Sequence, residues 1–118
     1  MAAPNLLNST SIIGKTSIAN VTTILSNVIT NGSTSGNLVK VDTMTISNYT
    51  ASSLLANVIF FRGTDRAYIL GNTLVPAFSA LTAIARDTAF LMEEGDYIQA
   101  NVNANVAAHM TINYEVIS

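Results

Sequence analysis

Few side chains in this 118-residue chain carry the chemistry to act on a ligand. His109 is its single histidine, and it has no cysteine. A zinc site or a Ser-His-Asp relay built on His109 would need acidic or hydroxyl partners brought to it in space. Residues 106–116 alternate polar and apolar, and His109 falls on the polar side. The expectation is a solvent-facing or interface histidine. Glu93, Glu94 and Asp96 crowd one turn. Their spacing is not that of a calcium-binding loop, and carboxylates so close in one turn cannot straddle a glycosidic bond. They read as a solvated acidic turn. Asp42, Asp65, Asp87 and Glu115 are scattered, and no glycine spacing cradles a phosphate. No serine sits in a nucleophile elbow. The chain therefore reads as a non-enzyme, with no catalytic residue, metal site or cofactor to assign.

Composition turns attention from chemistry to surfaces. Hydrophobic residues make up 49% and charged residues only 10%, against about a quarter charged in ordinary domains. That excludes a disordered chain, and it leaves a surface poor in the charges that keep monomers apart. A homo-oligomer is expected. The net charge is −2, and the five basic residues, Lys15, Lys40, Arg62, Arg66 and Arg86, are dispersed. Nucleic acid is therefore not an expected partner. The longest apolar runs, 54–56 and 58–61, are split by Asn57, far short of a membrane span. The opening residues lack the basic and apolar regions of a secretory leader.

The elements that must position these side chains are legible from period-2 alternation. Ile98, Ala100, Val102 and Ala104 are apolar between mostly polar neighbours. Val106, Ala108, Met110, Ile112, Tyr114 and Val116 repeat the pattern. Such alternation means half-buried antiparallel strands with a second layer over the apolar face. Asn31-Gly32-Ser33-Thr34-Ser35-Gly36 reads as a loop between strands over about 21–30 and 38–47. Arg62-Gly63-Thr64-Asp65 separates strands at 54–61 and 67–74, and Pro76 ends the latter or puts it at an edge. Glu93-Glu94-Gly95-Asp96 reads as a tight hairpin. Two segments also carry helical signals: Val21, Ile24, Leu25, Val28 and Ile29 form a helical stripe, and 79–94 holds good helix formers ending at Gly95. Strand is the expectation for both, with β-branched residues arguing against a helix in the first. The count is about eight strands over residues 11–118, preceded by an arm over residues 1–10.

Interface candidates follow from misplaced apolar residues. Residues 54–61 are apolar on both strand faces, which suits a central strand, or Phe60 and Phe61 packing on a neighbouring subunit. In the arm, Leu6 and Leu7 are apolar in a polar stretch and suit a groove on a neighbour. Asn48, Tyr49, Thr50, Asn103 and Asn105 are the polar loop residues with which a glycan-binding module would hold sugar hydroxyls.

The stretches Met1-Ala2-Ala3-Pro4-Asn5-Leu6-Leu7-Asn8, Ile13-Gly14-Lys15-Thr16, Leu91-Met92-Glu93-Glu94-Gly95-Asp96-Tyr97-Ile98 and Tyr114-Glu115-Val116-Ile117-Ser118 resemble small virion structural proteins of tailed bacteriophages, notably those of cyanobacteria. The resemblance implies a small β-sandwich on the particle, and it favours strands in both doubtful segments. The fold expected is an eight-stranded antiparallel sandwich, jelly-roll rather than immunoglobulin-like. The role implied is a decoration or cement protein on the capsid exterior, made in the host cytoplasm, with itself and the major capsid protein or another virion protein as partners. A tail, neck or fibre component and a host-glycan-binding module are the alternatives.

Overall fold

The computed structural model describes residues 11–85, 90–104 and 108–118. Within them the chain forms β1 (Ile12–Val21), β2 (Ser26–Thr30), β3 (Leu38–Asn48), β4 (Leu54–Arg62), β5 (Asp65–Val75), β6 (Ala80–Ile84), β7 (Phe90–Met92), β8 (Tyr97–Val102) and β9 (Ala108–Ile117). The front sheet runs β1-β9-β3-β6, with β7 also paired to β3, and the back sheet runs β2-β8-β4-β5. Every ladder is antiparallel, and they nest: β4 with β5, β3 with β6 and β7, β2 with β8, β1 with β9. A chain paired in this way is one long hairpin wound on itself, the jelly-roll arrangement. Because β6 and β7 share one place beside β3, nine strands fill the eight positions expected.

The core lies between the sheets and comes from the alternation. Ile98, Ala100 and Val102 of β8 join Ala108, Met110 and Ile112 of β9, with Val41, Met44, Ile46, Ala56 and Val58, in one buried cluster. Gly63 closes the β4–β5 hairpin at φ 59°, and β5 stops at Val75, before Pro76. β4 is a central strand between β8 and β5. Its middle is buried on both faces, at Val58 and Ile59, while Leu55 is exposed.

Three expectations need correction: a single strand over 21–30, a hairpin at 93–96, and a solvated Asp96. Residues 21–30 are two strand ends joined by a turn: Val21 closes β1, and Ser26 opens β2. The Thr22 hydroxyl accepts the Ile24 N–H at 3.2 Å, and its carbonyl accepts the Val102 N–H at 2.9 Å. The apparent helical stripe is no face, since Val21 and Ile29 are buried while Ile24 is exposed. Residues 93–96 are no hairpin either. The turn has its glycine, Gly95 at φ 87°, but it carries the chain from β7 in the front sheet to β8 in the back sheet. Asp96 is buried at 2% exposure. The segment 79–94 supplies β6 and β7 as strands, with 86–89 outside the described residues.

Each end of the sandwich is tied by buried amides or acids where the chain changes sheets. At one end the Asn31 side-chain amide donates to the carbonyls of Asn37 and Met92, both at 2.9 Å, and its oxygen accepts the Ser35 hydroxyl at 2.7 Å. The Asn31 backbone exchanges bonds with Asp96 and Gly95. At the other end the Asn48 amide donates to the carbonyls of Ser52, Val75 and Pro76 at 2.7–3.2 Å, and its oxygen accepts the Thr50 N–H and hydroxyl. Asn48→Asp keeps the shape but sets an acceptor against three carbonyls. It is expected to cost about 2–3 kcal/mol of unfolding free energy, at least as much as Asn48→Ala, in urea denaturation.

Candidate interaction surfaces

The residues singled out by sequence do not converge on one site. Phe60 points inward and packs partly buried against the core, with the Arg62 guanidinium 5.4 Å from its ring centre. Phe61 points outward on the back sheet and stacks on Tyr97, 4.9 Å between ring centres and 10° between planes. Leu6, Leu7 and the arm over residues 1–10 lie outside the described residues, as does Asn105. Asn48 is buried and committed to the backbone. Asn103 accepts the Leu55 N–H at 3.0 Å.

Asp96 is the residue that sequence reasoning misplaced. Its carboxylate accepts Arg62 Nη2 at 2.7 Å and Nε at 3.1 Å, together with the Glu93 backbone N–H at 2.8 Å. Glu93 reaches the same guanidinium at 3.3 Å. The hydrogen-bonded Asp96 carboxylate raises the Arg62 pKa above its ordinary value, with Glu93 adding to the effect. A two-pronged pair of this kind is specific in geometry, and it fastens the β4–β5 hairpin to the β7–β8 crossing. The acidic turn is therefore a structural clamp. Among the described residues no group of three His, Asp or Glu side chains is placed to hold a metal.

The outer face of the front sheet is an uncharged polar carpet over most of its length. Thr16 Oγ1 donates to Asn113 Oδ1 at 2.8 Å, and Asn113 Nδ2 donates to Thr43 Oγ1 at 2.7 Å. The next rows across β1, β9 and β3 are Ile18-Thr111-Thr45 and Asn20-His109-Ser47. His109 stands on this exposed face, as the alternation requires, and stacks on Tyr49 at 4.4 Å. A shallow hollow of about 320 Å³ lies between Ile18, Asn20, His109 and Thr111. Charge gathers at one end, where Lys40 lies opposite Glu115 in the ladder.

The outer face of the back sheet differs in kind. Beside the Phe61–Tyr97 stack, Arg66 lies 5.8 Å over the ring of Tyr68, which is 55% exposed. Amides link the strands: Gln99 donates to Asn27 at 2.9 Å, and Asn57 donates to Asn101 at 3.1 Å. Exposed apolar side chains gather on β1 (Ile12, Ile13, Ile18) and along β5 and the turn after it (Tyr68, Leu74, Phe78). Phe78 is held at φ 53°, a conformation unfavourable for a bulky residue.

No protein-family model matches this chain, and no curated protein matches it.

Asp96→Asn weakens the clamp and is expected to lower stability by about 2–3 kcal/mol. Arg62→Lys keeps the charge but not the fork, and should cost less. Chemical denaturation of both variants beside the parent measures the difference.

Proposed function

We propose that this chain is a structural subunit that works by surface contact, most specifically a decoration or cement protein on the outside of a tailed-phage capsid. The observation that carries the contact reading is the surface itself. The front sheet offers a broad outer face of Thr, Ser and Asn, bordered by an edge strand that exposes three isoleucines. Over most of its length such a face lacks the charge that would oppose contact, and its isoleucine border supplies apolar surface to bury. The capsid setting rests on the sequence resemblance. Its physical logic is avidity: a modest contact made by every copy on a lattice resists outward pressure far better than any one contact.

The back sheet favours a second reading, a host-glycan-binding module. Tyr68, the Phe61–Tyr97 stack and the neighbouring amides of Gln99 and Asn57 pair aromatic surface with hydrogen-bonding groups. On that reading Tyr68→Ala abolishes the signal on a glycan array while the fold is unchanged. Absence of any signal from the parent protein refutes it.

Quantitative mass spectrometry of purified particles, scaled to the major capsid protein, tests the leading reading. Copies in the hundreds are expected. A few dozen or fewer move the protein to the tail, neck or fibres, and none refutes a virion role.

A further inference from the structure

The two sheets leave four edges, and the chain treats them unequally. On the back sheet, β2 has five residues and a register shift, and β5 has two shifts and a positive-φ Asn72. On the front sheet, β6 has five residues and a shift, and β7 has three residues. Short or bulged edges resist further pairing. β1 is different: it pairs with β9 through ten consecutive residues without a shift. Among the described residues, no strand pairs along its other side.

The direction of its free backbone groups follows from one pair. Ser11 and Ser118 exchange both backbone hydrogen bonds, at 3.3 and 2.9 Å. In an antiparallel ladder, hydrogen-bonded pairs alternate with non-bonded ones. In the unbroken register, Ile13, Lys15, Ser17, Ala19 and Val21 therefore bond to β9. Ile12, Gly14, Thr16, Ile18 and Asn20 turn their N–H and C=O groups outward. The side chains of Ile12, Thr16, Ile18 and Asn20 lie on the outer face, and Ile18 is 81% exposed.

We propose that this edge binds β1 of a second copy of the chain, antiparallel and centred on Thr16, joining two front sheets into one about a two-fold axis. The proposal deepens the assembly reading above and rests on it for its setting. The outward set is symmetric about Thr16. In this register Thr16 meets Thr16, Gly14 meets Ile18, and Ile12 meets Asn20, and each of these residues gives one N–H and one C=O to the partner. Side-chain sizes complement one another. A Cβ built on Gly14 meets nothing within 4 Å, which leaves room for Ile18 of the other copy. Ile13 falls opposite Ala19. Lys15, the one charge on the strand, falls opposite Ser17. A slide of two residues one way sets Lys15 against itself, and like charges directly opposite are destabilising. A slide the other way leaves Ile12 opposite Thr22, whose carbonyl is already bonded to Val102. The main chain supplies affinity and the side chains supply register, as in other cases of strand addition.

The test uses the purified full chain. Sedimentation velocity is expected to give twice the chain mass of 12.5 kDa. Thr16→Pro removes an outward N–H while sparing the backbone bonds to β9, at the loss of the Thr16–Asn113 side-chain bond, and is expected to weaken the dimer about tenfold or more. Because the chain has no cysteine, Lys15→Cys, Thr16→Cys and Ser17→Cys report register independently of any folding defect in the proline variant. Thr16→Cys is expected to form the disulfide-linked dimer fastest, its two-fold pair lying about 5.5 Å apart between Cα atoms. A monomer at about 100 μM, which is also the result if the edge takes a strand from a different protein, overturns the proposal. So does a folded Thr16→Pro variant that dimerises as the parent does, or fastest linkage at position 15 or 17. A dimer with no copies on the particle refutes the virion reading alone, and an abundant particle protein that is monomeric in solution refutes the β1 pairing alone.

Discussion

The fold depends on satisfying the backbone wherever the chain leaves one sheet for the other. It crosses at β1 to β2, β2 to β3, β3 to β4, β5 to β6, β7 to β8 and β8 to β9. Each crossing ends a ladder and frees N–H and C=O groups near the interior, where unpaired polar groups are costly. The buried polar residues among those described, Asn31, Asn48 and Asp96, all stand at such crossings. Asn31 ties the β2–β3 crossing to the end of β7. Asp96 ties the turn after β7 to Arg62 at the end of β4. Asn48 ties the β3–β4 crossing to the end of β5. The sandwich is thus fastened at both ends, and its middle is left to apolar packing.

Much of this was legible in the sequence, for a physical reason. β8 and β9 lie in the interior of their sheets with one face on the core and one on solvent, so burial imprints a strict period of two. The glycines at 63 and 95 marked turns because the backbone there has positive φ. β1 left no such imprint. As an edge strand it exposes Ile12 and Ile18 on one face and Lys15 on the other, so neither face reads as apolar. The helical stripe over 21–29 arose because an exposed turn happens to carry Ile24 and Leu25. Asp96 was misread because its partner, Arg62, lies 34 residues away. A lone acid in an acidic turn gives no sign of a distant arginine. Asn48 looked like a loop residue available to a ligand, and tertiary structure turned it inward.

These constraints also decide what the surface can do. The buried polar side chains at the described corners, Asn31, Asn48 and Asp96, are committed within the fold, so the sheet faces and edges carry the surface chemistry considered for contact. Front and back faces present different chemistry, one a threonine and asparagine carpet, the other aromatic and amide-rich. Under the proposed role, faces of different chemistry would let one subunit meet two different neighbours. The proposed edge pairing would extend the front carpet across two copies without touching the back face.

Electron cryomicroscopy of the purified particle, at a resolution that separates strands, would decide between the proposed arrangement and its alternatives. Two-layered sandwich density on the capsid exterior is expected, in pairs whose front sheets run continuously through β1. Exterior density absent throughout, or isolated sandwiches with β1 facing solvent, contradicts the proposed arrangement.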